Sequence, residues 1–575
     1  MSNRNEVGNF RPVIMSGVRA VVGGKLPVFA LGLLATGLLA AAPPPAAAQG
    51  GSAAVALSAD TPVAVTGGLI QGAEAALPGI VAFKGIPFAA PPVGELRWRP
   101  PAAVVPWDGV RDAGEAGPIC VQGGGQGVGQ SEDCLFLNVW APAETAEPRP
   151  VLYWIHGGGY TGGSGSTSIY DGARLAADGA VVVTINYRLN VFGFLAHPVL
   201  SAESPHGASG NYGLLDMVAG LEWVRDNVAA FGGDPGRVTI FGESAGGGAV
   251  MSVMLMPQSR GLFHGAIAQS NWIHGWDRPL EGDAGDLTPA KAQGTAVAAA
   301  LGAGGLDPEA ALAAMRAASA RDVLAAIGAG AGSPFLRTGH VWAPNVDGWT
   351  IPDDPLAMYA DGRQHPVPLV VGMNGNEGSL MTRGFSMDGP ETFVKHVESV
   401  YPDDFAADLV AHYDATTETV REGFDYLVHD LYFAGPVRAH ARDQAAVAPV
   451  WMYHFTRVPP TPWGEALGAH HAAELVYVFG TLTTSDEPGE RPLGLSPLGD
   501  FTEVDTGLSE TMRAYWIRFA AAGDPNVPGL PAWPAWDPAS DRHLELGVDV
   551  STGDGLHVAG AALWDRFQAQ RRRER

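Results

Sequence analysis

The stretch Arg237-Val-Thr-Ile-Phe-Gly-Glu-Ser-Ala-Gly-Gly-Gly248 decides the fold. Val238 to Phe241 is a short β-branched and aromatic run of the kind that fills a buried strand. It ends in Gly242-Glu-Ser-Ala-Gly246, the G-x-S-x-G pattern, and the small residues that follow, with Val250 and Met251, read as a buried helix. Strand, tight turn and helix are the context in which that pattern forms a nucleophile elbow. A serine at such a turn sits in strained backbone, and side chains at the flanking glycines would clash. The turn lifts the Ser244 hydroxyl off the sheet edge, above a helix N-terminus that favours developing negative charge. In a chain with 77 glycines the pentapeptide also arises by chance, so the rest of the sequence has to support it.

Outward from the elbow, strands and helices alternate as in an α/β protein. Val151 to Ile155 is an apolar strand ending in His156-Gly-Gly-Gly159, and Val181 to Asn186 is another. Leu214, Val218, Leu221, Val224, Val228 and Phe231 recur at helical spacing and lead into the elbow strand. Later strands are expected over 368–373 and 449–455. Val63 to Gly72 reads as an antiparallel hairpin. Gly85 to Pro101 is too proline-rich for a helix or a central strand. The glycines at 121–130 lack the strand and helix that a dinucleotide fingerprint needs, and no cofactor is expected. Alanine-rich helical sequence fills about 285–335, broken by the glycines at 302, 304 and 305, with Asp307 and Pro308 opening a new helix. This stretch and about 390–445 read as helical insertions after the elbow strand. No internal repeat is present.

Composition narrows the class of partner. The 575 residues are 46% hydrophobic and 17% charged, enough to bury a sizeable core. A net charge of −25 argues against nucleic acid or an anionic membrane surface; its plain reading is solubility. At the N-terminus, Arg4, Arg11, Arg19 and Lys25 precede an apolar run from Leu26 to Ala42, prolines, and Ala46-Ala47-Ala48. Residues 1–48 therefore read as a secretory signal peptide, with Met15 an alternative start, and 49–575 as a single domain. The run is short for a membrane anchor, prolines follow it, and no other stretch could span a bilayer. The mature protein is expected in the periplasm or outside the cell. There Cys120 and Cys134 suggest a disulfide closing a local loop, two separate buried thiols being the alternative.

A serine becomes a nucleophile when a base takes its proton, and a carboxylate must hold that base in one tautomer. The chain order serine, acid, histidine, each just past a strand, selects candidates. Glu377 lies in Asn374-Gly-Asn-Glu-Gly378, directly after the strand ending near Met373. His471 lies in Gly468-Ala-His-His-Ala-Ala-Glu-Leu475, about sixteen residues past Phe455. His470 is its confounder. The His-His pair with Glu474 could suggest a metal, but no third ligand cluster or metalloprotease helix accompanies it, and no metal is expected. The glycine run after His156 and the Ala245 N–H offer donors for an oxyanion.

The sequence resembles the type-B carboxylesterase/lipase family, which includes the cholinesterases, from about residue 60 to Asp565. The matching motifs are Gly85-Ile-Pro-Phe through Pro101, Ser131-Glu-Asp-Cys-Leu-Phe-Leu-Asn-Val139, Trp154 to Gly159, Gly210 to Asp216, Phe231 to Pro235, Phe241 to Gly246, Glu474-Leu-Val-Tyr-Val-Phe-Gly480 and Tyr515-Trp-Ile-Arg-Phe-Ala. The resemblance implies an α/β-hydrolase fold: a mostly parallel central sheet with helices on both faces and helical insertions after the nucleophile strand. It makes Ser244 the nucleophile, Glu377 the acid and His471 the base, since the family histidine stands three residues before the glutamate of its E-L-x-x-V-F-G motif. It puts Gly158, Gly159 and Ala245 where the oxyanion donors lie, Glu243 and Ser270 in a polar network around the triad, and Cys120 with Cys134 in the family's first disulfide.

The sequence also departs from the family. Met217 stands where many relatives carry Gln, and Asn271 follows Gln269-Ser270 where Gly is usual. The loop between the cysteines lacks the tryptophan that cholinesterases use, and a quaternary ammonium needs an aromatic face, so a cholinesterase is not expected. The reading is an exported serine esterase acting on small-molecule carboxylic esters through an acyl-enzyme. A lipase, thioesterase or amidase on the same fold, and a non-catalytic binding protein, are its rivals.

Overall fold

A computed structural model describes residues 54–123, 129–271, 278–282, 288–327, 342–386, 389–401, 403–482 and 499–574. The expected signal peptide lies outside the described residues, as do parts of the first insertion and of the loop between the cysteines.

The apolar runs assemble one eleven-stranded sheet. In chain order its strands are β1 (Ala73–Glu74), β2 (Ile80–Pro87), β3 (Phe136–Pro142), β4 (Arg149–Ile155), β5 (Val181–Ile185), β6 (Gly233–Glu243), β7 (Gly265–Gln269), β8 (Leu369–Asn374), β9 (Val450–Phe455), β10 (Arg542–Leu546) and β11 (Val550–Asp554). Across the sheet they run 1-2-3-5-4-6-7-8-9-10-11. The span from β5 to β10 is parallel, and antiparallel pairs finish both edges. The expected α/β-hydrolase sheet is present, and the chain reverses direction along it beside the elbow strand β6.

Burial on both faces explains why the central strands are apolar runs rather than alternating ones. In β4, Val151, Tyr153 and Ile155 join one hydrophobic cluster, while Leu152 and Trp154 join a second on the other face. Helices Tyr212–Asn227 and Ala245–Val253 contribute Leu214, Leu221, Val250 and Met251 to the first. Helix Glu503–Ala522 contributes Met512, Trp516 and Phe519 to the second. Trp154 meets Phe241 at 4.7 Å and Phe479 at 5.0 Å between ring centroids there, so the second cluster is built around aromatic contacts.

The N-terminal hairpin is present as paired strands Val63–Val65 and Gly68–Gln71. The helix after the 302–305 glycines spans Pro308–Ala317, and Asp307 caps it by accepting from the Ala310 N–H. The second insertion is helical over Pro390–Val400, Asp403–Thr416, Val420–His429 and Gly435–Ala445. One expectation is corrected. Ile86 and Pro87 belong to the sheet, paired with Leu137 and Phe136. Pro87 is tolerated because it ends β2, and the short outer strand β1 pairs only with Val81 and Ala82.

Candidate active site

The elbow forms where β6 ends and its helix begins, with Ser244 as the single residue between them. Ser244 has φ +58° and ψ −123°, a strained conformation for a residue with a side chain. The turn is held by its own N–H donating to Gln269 O at 3.0 Å and by its carbonyl accepting from Gly248 N–H at 2.9 Å. The glycine at 246 is dictated by contact: a Cβ there would stand 2.1 Å from Ile155 O, in β4. The geometry matches the strand, turn and helix read from the sequence.

Strands β8 and β9 bring the other two candidates together. Asn376 N–H donates to Ala469 O at 2.9 Å, so the loop after β8 runs beside the loop that carries His470 and His471. His471 Nδ1 lies 2.5 Å from Glu377 Oε2, with both side chains fully buried. The other Glu377 oxygen accepts from Ser270 Oγ–H and from Asn374 N–H, each at 2.6 Å. Three donors therefore fix one carboxylate, Ser270 among them. His470 points elsewhere: its Nδ1 faces the His471 carbonyl at 2.8 Å, and its own carbonyl accepts from Asn374 Nδ2–H.

The far nitrogen of His471, Nε2, lies 3.0 Å from Glu243 Oε1. The pair is misaligned for a hydrogen bond, and among the described residues neither that nitrogen nor that oxygen has a hydrogen-bond partner. Catalytic contacts are often loose in unliganded sites and tighten when substrate binds. Phe433 packs on the imidazole at 4.9 Å between centroids. It is carried by a π-helical turn, Asp430–Ala434, set between two α-helices; such bulges recur at functional sites.

Electrostatics follow from burial and like charge. Burial opposes a charged His471, yet the Glu243 and Glu377 carboxylates and the hydrogen bond to Glu377 outweigh it and raise the imidazole to about 9. Burial pushes the Glu243 carboxyl up to about 8, with His471 opposing that rise and Glu474 and Glu377 adding to it. Each of these groups therefore keeps its proton to higher pH than it would in water. Burial also raises Glu474, whose oxygens accept from Gln269 Nε2–H at 2.9 Å and Asn374 Nδ2–H at 2.6 Å. His471 and Glu474 are thus committed to other partners, and the His470, His471 and Glu474 set does not converge as ligands.

Gly158 and Gly159 follow β4 with φ of +106° and +65°. At Gly158 a Cβ would stand 2.2 Å from Gly162 O, so only glycine fits. Among the described residues, the Gly158, Gly159 and Ala245 N–H groups donate to no backbone acceptor. Cys120 and Cys134 form the expected disulfide, with Cα atoms 5.0 Å apart. Reading the sequence missed Phe433, and also His429, whose Nδ1 accepts from the Glu377 N–H at 3.2 Å. It missed as well the roles of Gln269 and Asn374 in holding Glu474. Asn374 opens the quoted Asn-Gly-Asn-Glu run; the others carry no local signal.

The sheet order and the serine elbow define an α/β-hydrolase. The family model described as "Carboxylesterase family" matches residues 59–564, and the chain belongs to that family: it is a carboxylic ester hydrolase. It is 36% identical over 524 residues to the fumonisin B1 esterase of Sphingopyxis macrogoltabida, covering 88% of this chain and 90% of that protein. It is 35% identical over 489 residues to the para-nitrobenzyl esterase of Bacillus subtilis (strain 168), covering 82% and 92%. Among solved structures, a Geobacillus stearothermophilus carboxylesterase superposes with a TM-score of 0.75 at 33% identity, over 88% of this chain and all of that one.

Proposed function

We propose that Ser244 is the nucleophile of this ester hydrolase, His471 its base and Glu377 the acid that orients the base. The observation that carries the reading is the 2.5 Å contact between His471 Nδ1 and Glu377 Oε2, with the other ring nitrogen 3.0 Å from Glu243, the residue before a serine in a strained elbow. His471 Nε2 takes the hydroxyl proton as Ser244 Oγ attacks the ester carbonyl. The Gly158, Gly159 and Ala245 amides donate to the oxyanion of the tetrahedral intermediate. His471 returns the proton to the departing alcohol, and water repeats the sequence on the acyl-enzyme. Glu243 sits beside Nε2, and Ser270 holds the Glu377 carboxylate. The test is ester turnover by purified Ser244→Ala, which should fall to background; turnover equal to wild type would remove the mechanism.

The substrates are small-molecule carboxylic esters. The relatives are named for unlike esters, among them fumonisin B1, acylcarnitine and cocaine. A panel of short- and long-chain p-nitrophenyl esters, a thioester and an amide separates an esterase from a lipase, thioesterase or amidase. We also propose that residues 1–48 direct export, and that 49–575 form one hydrolase domain with the two helical insertions. The disulfide supports an oxidising compartment, and no described helix is long and apolar enough to cross a membrane. A mature N-terminus near residue 49 on protein from the periplasm or medium is expected; an uncleaved chain confined to the cytoplasm would contradict export.

A further inference from the structure

The last two parallel strands carry a polar group that ester hydrolysis does not use. His454 in β9 and Glu545 in β10 are direct cross-strand partners. His543 lies two residues before Glu545 and so shares its face of the sheet. Each histidine turns one nitrogen toward the same carboxylate oxygen. His543 Nε2 is 3.3 Å and His454 Nδ1 3.6 Å from Glu545 Oε2, and the three atoms lie within 4.8 Å of one another.

These spacings are long for charge-assisted hydrogen bonds, which close to about 2.7–2.9 Å. They suit the edges of a coordination tetrahedron, since ligand bonds of about 2.0–2.2 Å place neighbouring ligand atoms about 3.4 Å apart. We propose that His454, His543 and Glu545 bind one divalent transition-metal ion of the zinc class. Two imidazoles and a carboxylate form a donor set that zinc favours, with a fourth position left for water. Among the described residues the outer nitrogens, His454 Nε2 and His543 Nδ1, are buried without a hydrogen-bond partner, so no bond on the far side draws either ring away from the shared oxygen.

Access and space agree with the assignment. The histidine side chains are 13% and 4% exposed, whereas Glu545 is 33% exposed and opens the site to solvent. Gly553 in β11 pairs with His543, and a Cβ there would stand 2.5 Å from the ligating Nε2. Glycine keeps that flank clear. A second set, His429, Asp430 and His557, is also close enough to share an ion. Its bonds are already made. His429 Nδ1 accepts from the Glu377 N–H, which leaves the proton on Nε2, and His557 Nδ1 bonds Asp430 Oδ1 at 3.0 Å. The proposed ion would tie β9 to β10 and act as a structural clamp.

The test uses the untagged full chain, stripped with a chelator and dialysed. Calorimetric titration with Zn2+ should show one equivalent bound per chain with a rise in melting temperature, and Co2+ should give the visible bands of a tetrahedral nitrogen and oxygen site. Glu545→Gln, at a partly exposed position, should weaken Zn2+ binding at least a hundredfold while leaving ester turnover intact. His543→Ala should do the same, and His557→Ala should bind as wild type does. Absence of stoichiometric Zn2+ uptake by wild type, an unchanged Co2+ spectrum in Glu545→Gln, or loss of binding in His557→Ala alone would each overturn the assignment.

Discussion

His471 Nδ1 and Glu377 Oε2 stand 2.5 Å apart although 94 residues separate them in the chain. Their contact depends on β8 and β9 being parallel neighbours, because both residues lie beyond the C-terminal ends of those strands, Glu377 at the start of the helix Glu377–Thr382. A neutral carboxamide at 377 keeps the shape but can present its NH2 to the ring and reverse the tautomer. Glu377→Gln should lower kcat on p-nitrophenyl acetate by about 10^4, the scale of such a change in a serine triad, with the far-UV spectrum unchanged. A loss below tenfold would mean that Glu377 does not orient the base.

Hydrolysis should decline as the pH falls, because the base must be neutral to accept the serine proton. The carboxylates around His471 raise its affinity for a proton despite burial, so the acid limb should have its midpoint above the roughly 6.5 of a free imidazole. Glu243→Gln removes the acid beside Nε2, which favours the charged ring when it is ionised, and should move the midpoint of the kcat/KM profile down. A midpoint that stays put or rises would show that Glu243 does not act on the base.

Gly158 offers a test of the oxyanion donors. Alanine at φ +106° is strained and its Cβ would strike the Gly162 carbonyl, so the loop must shift. Losing a preorganised donor typically costs about 10^2–10^3 in kcat, and Gly158→Ala should lose activity on that scale in a folded protein. Wild-type turnover would exclude this loop from transition-state binding.

The disulfide should matter to stability and little to chemistry. In the chain-entropy model, a loop of this size contributes roughly 3 kcal/mol. Urea unfolding of a Cys120→Ser, Cys134→Ser double variant should show a stability loss of that order, with ester turnover retained under native conditions. An unchanged midpoint would show that the crosslink adds nothing to the folded state.

The three proposed reacting groups were legible because each follows an apolar strand in a glycine-marked loop. Strand β7 was harder. Gly-Ala-Ile-Ala-Gln269 offers small residues and no alternation, as suits a strand wedged between β6 and β8 and buried on both faces. Strands β10 and β11 gave little signal because they are short and close the sheet edge with polar residues. The support around Glu377 was hidden for another reason. His429 lies 52 residues away and Phe433 arrives on a π-helical turn, so neither has a local pattern that ties it to the acid. Pro87 is compatible with the sheet because it is the last residue of β2, a position that proline content alone does not reveal.

The most direct measurement is mass spectrometry of the purified enzyme after reaction with a fluorophosphonate. A single covalent adduct on the peptide carrying Ser244, forming in step with the loss of ester turnover and absent from Ser244→Ala, is the expected result. An adduct on another residue, or full turnover in Ser244→Ala, would contradict the central claim.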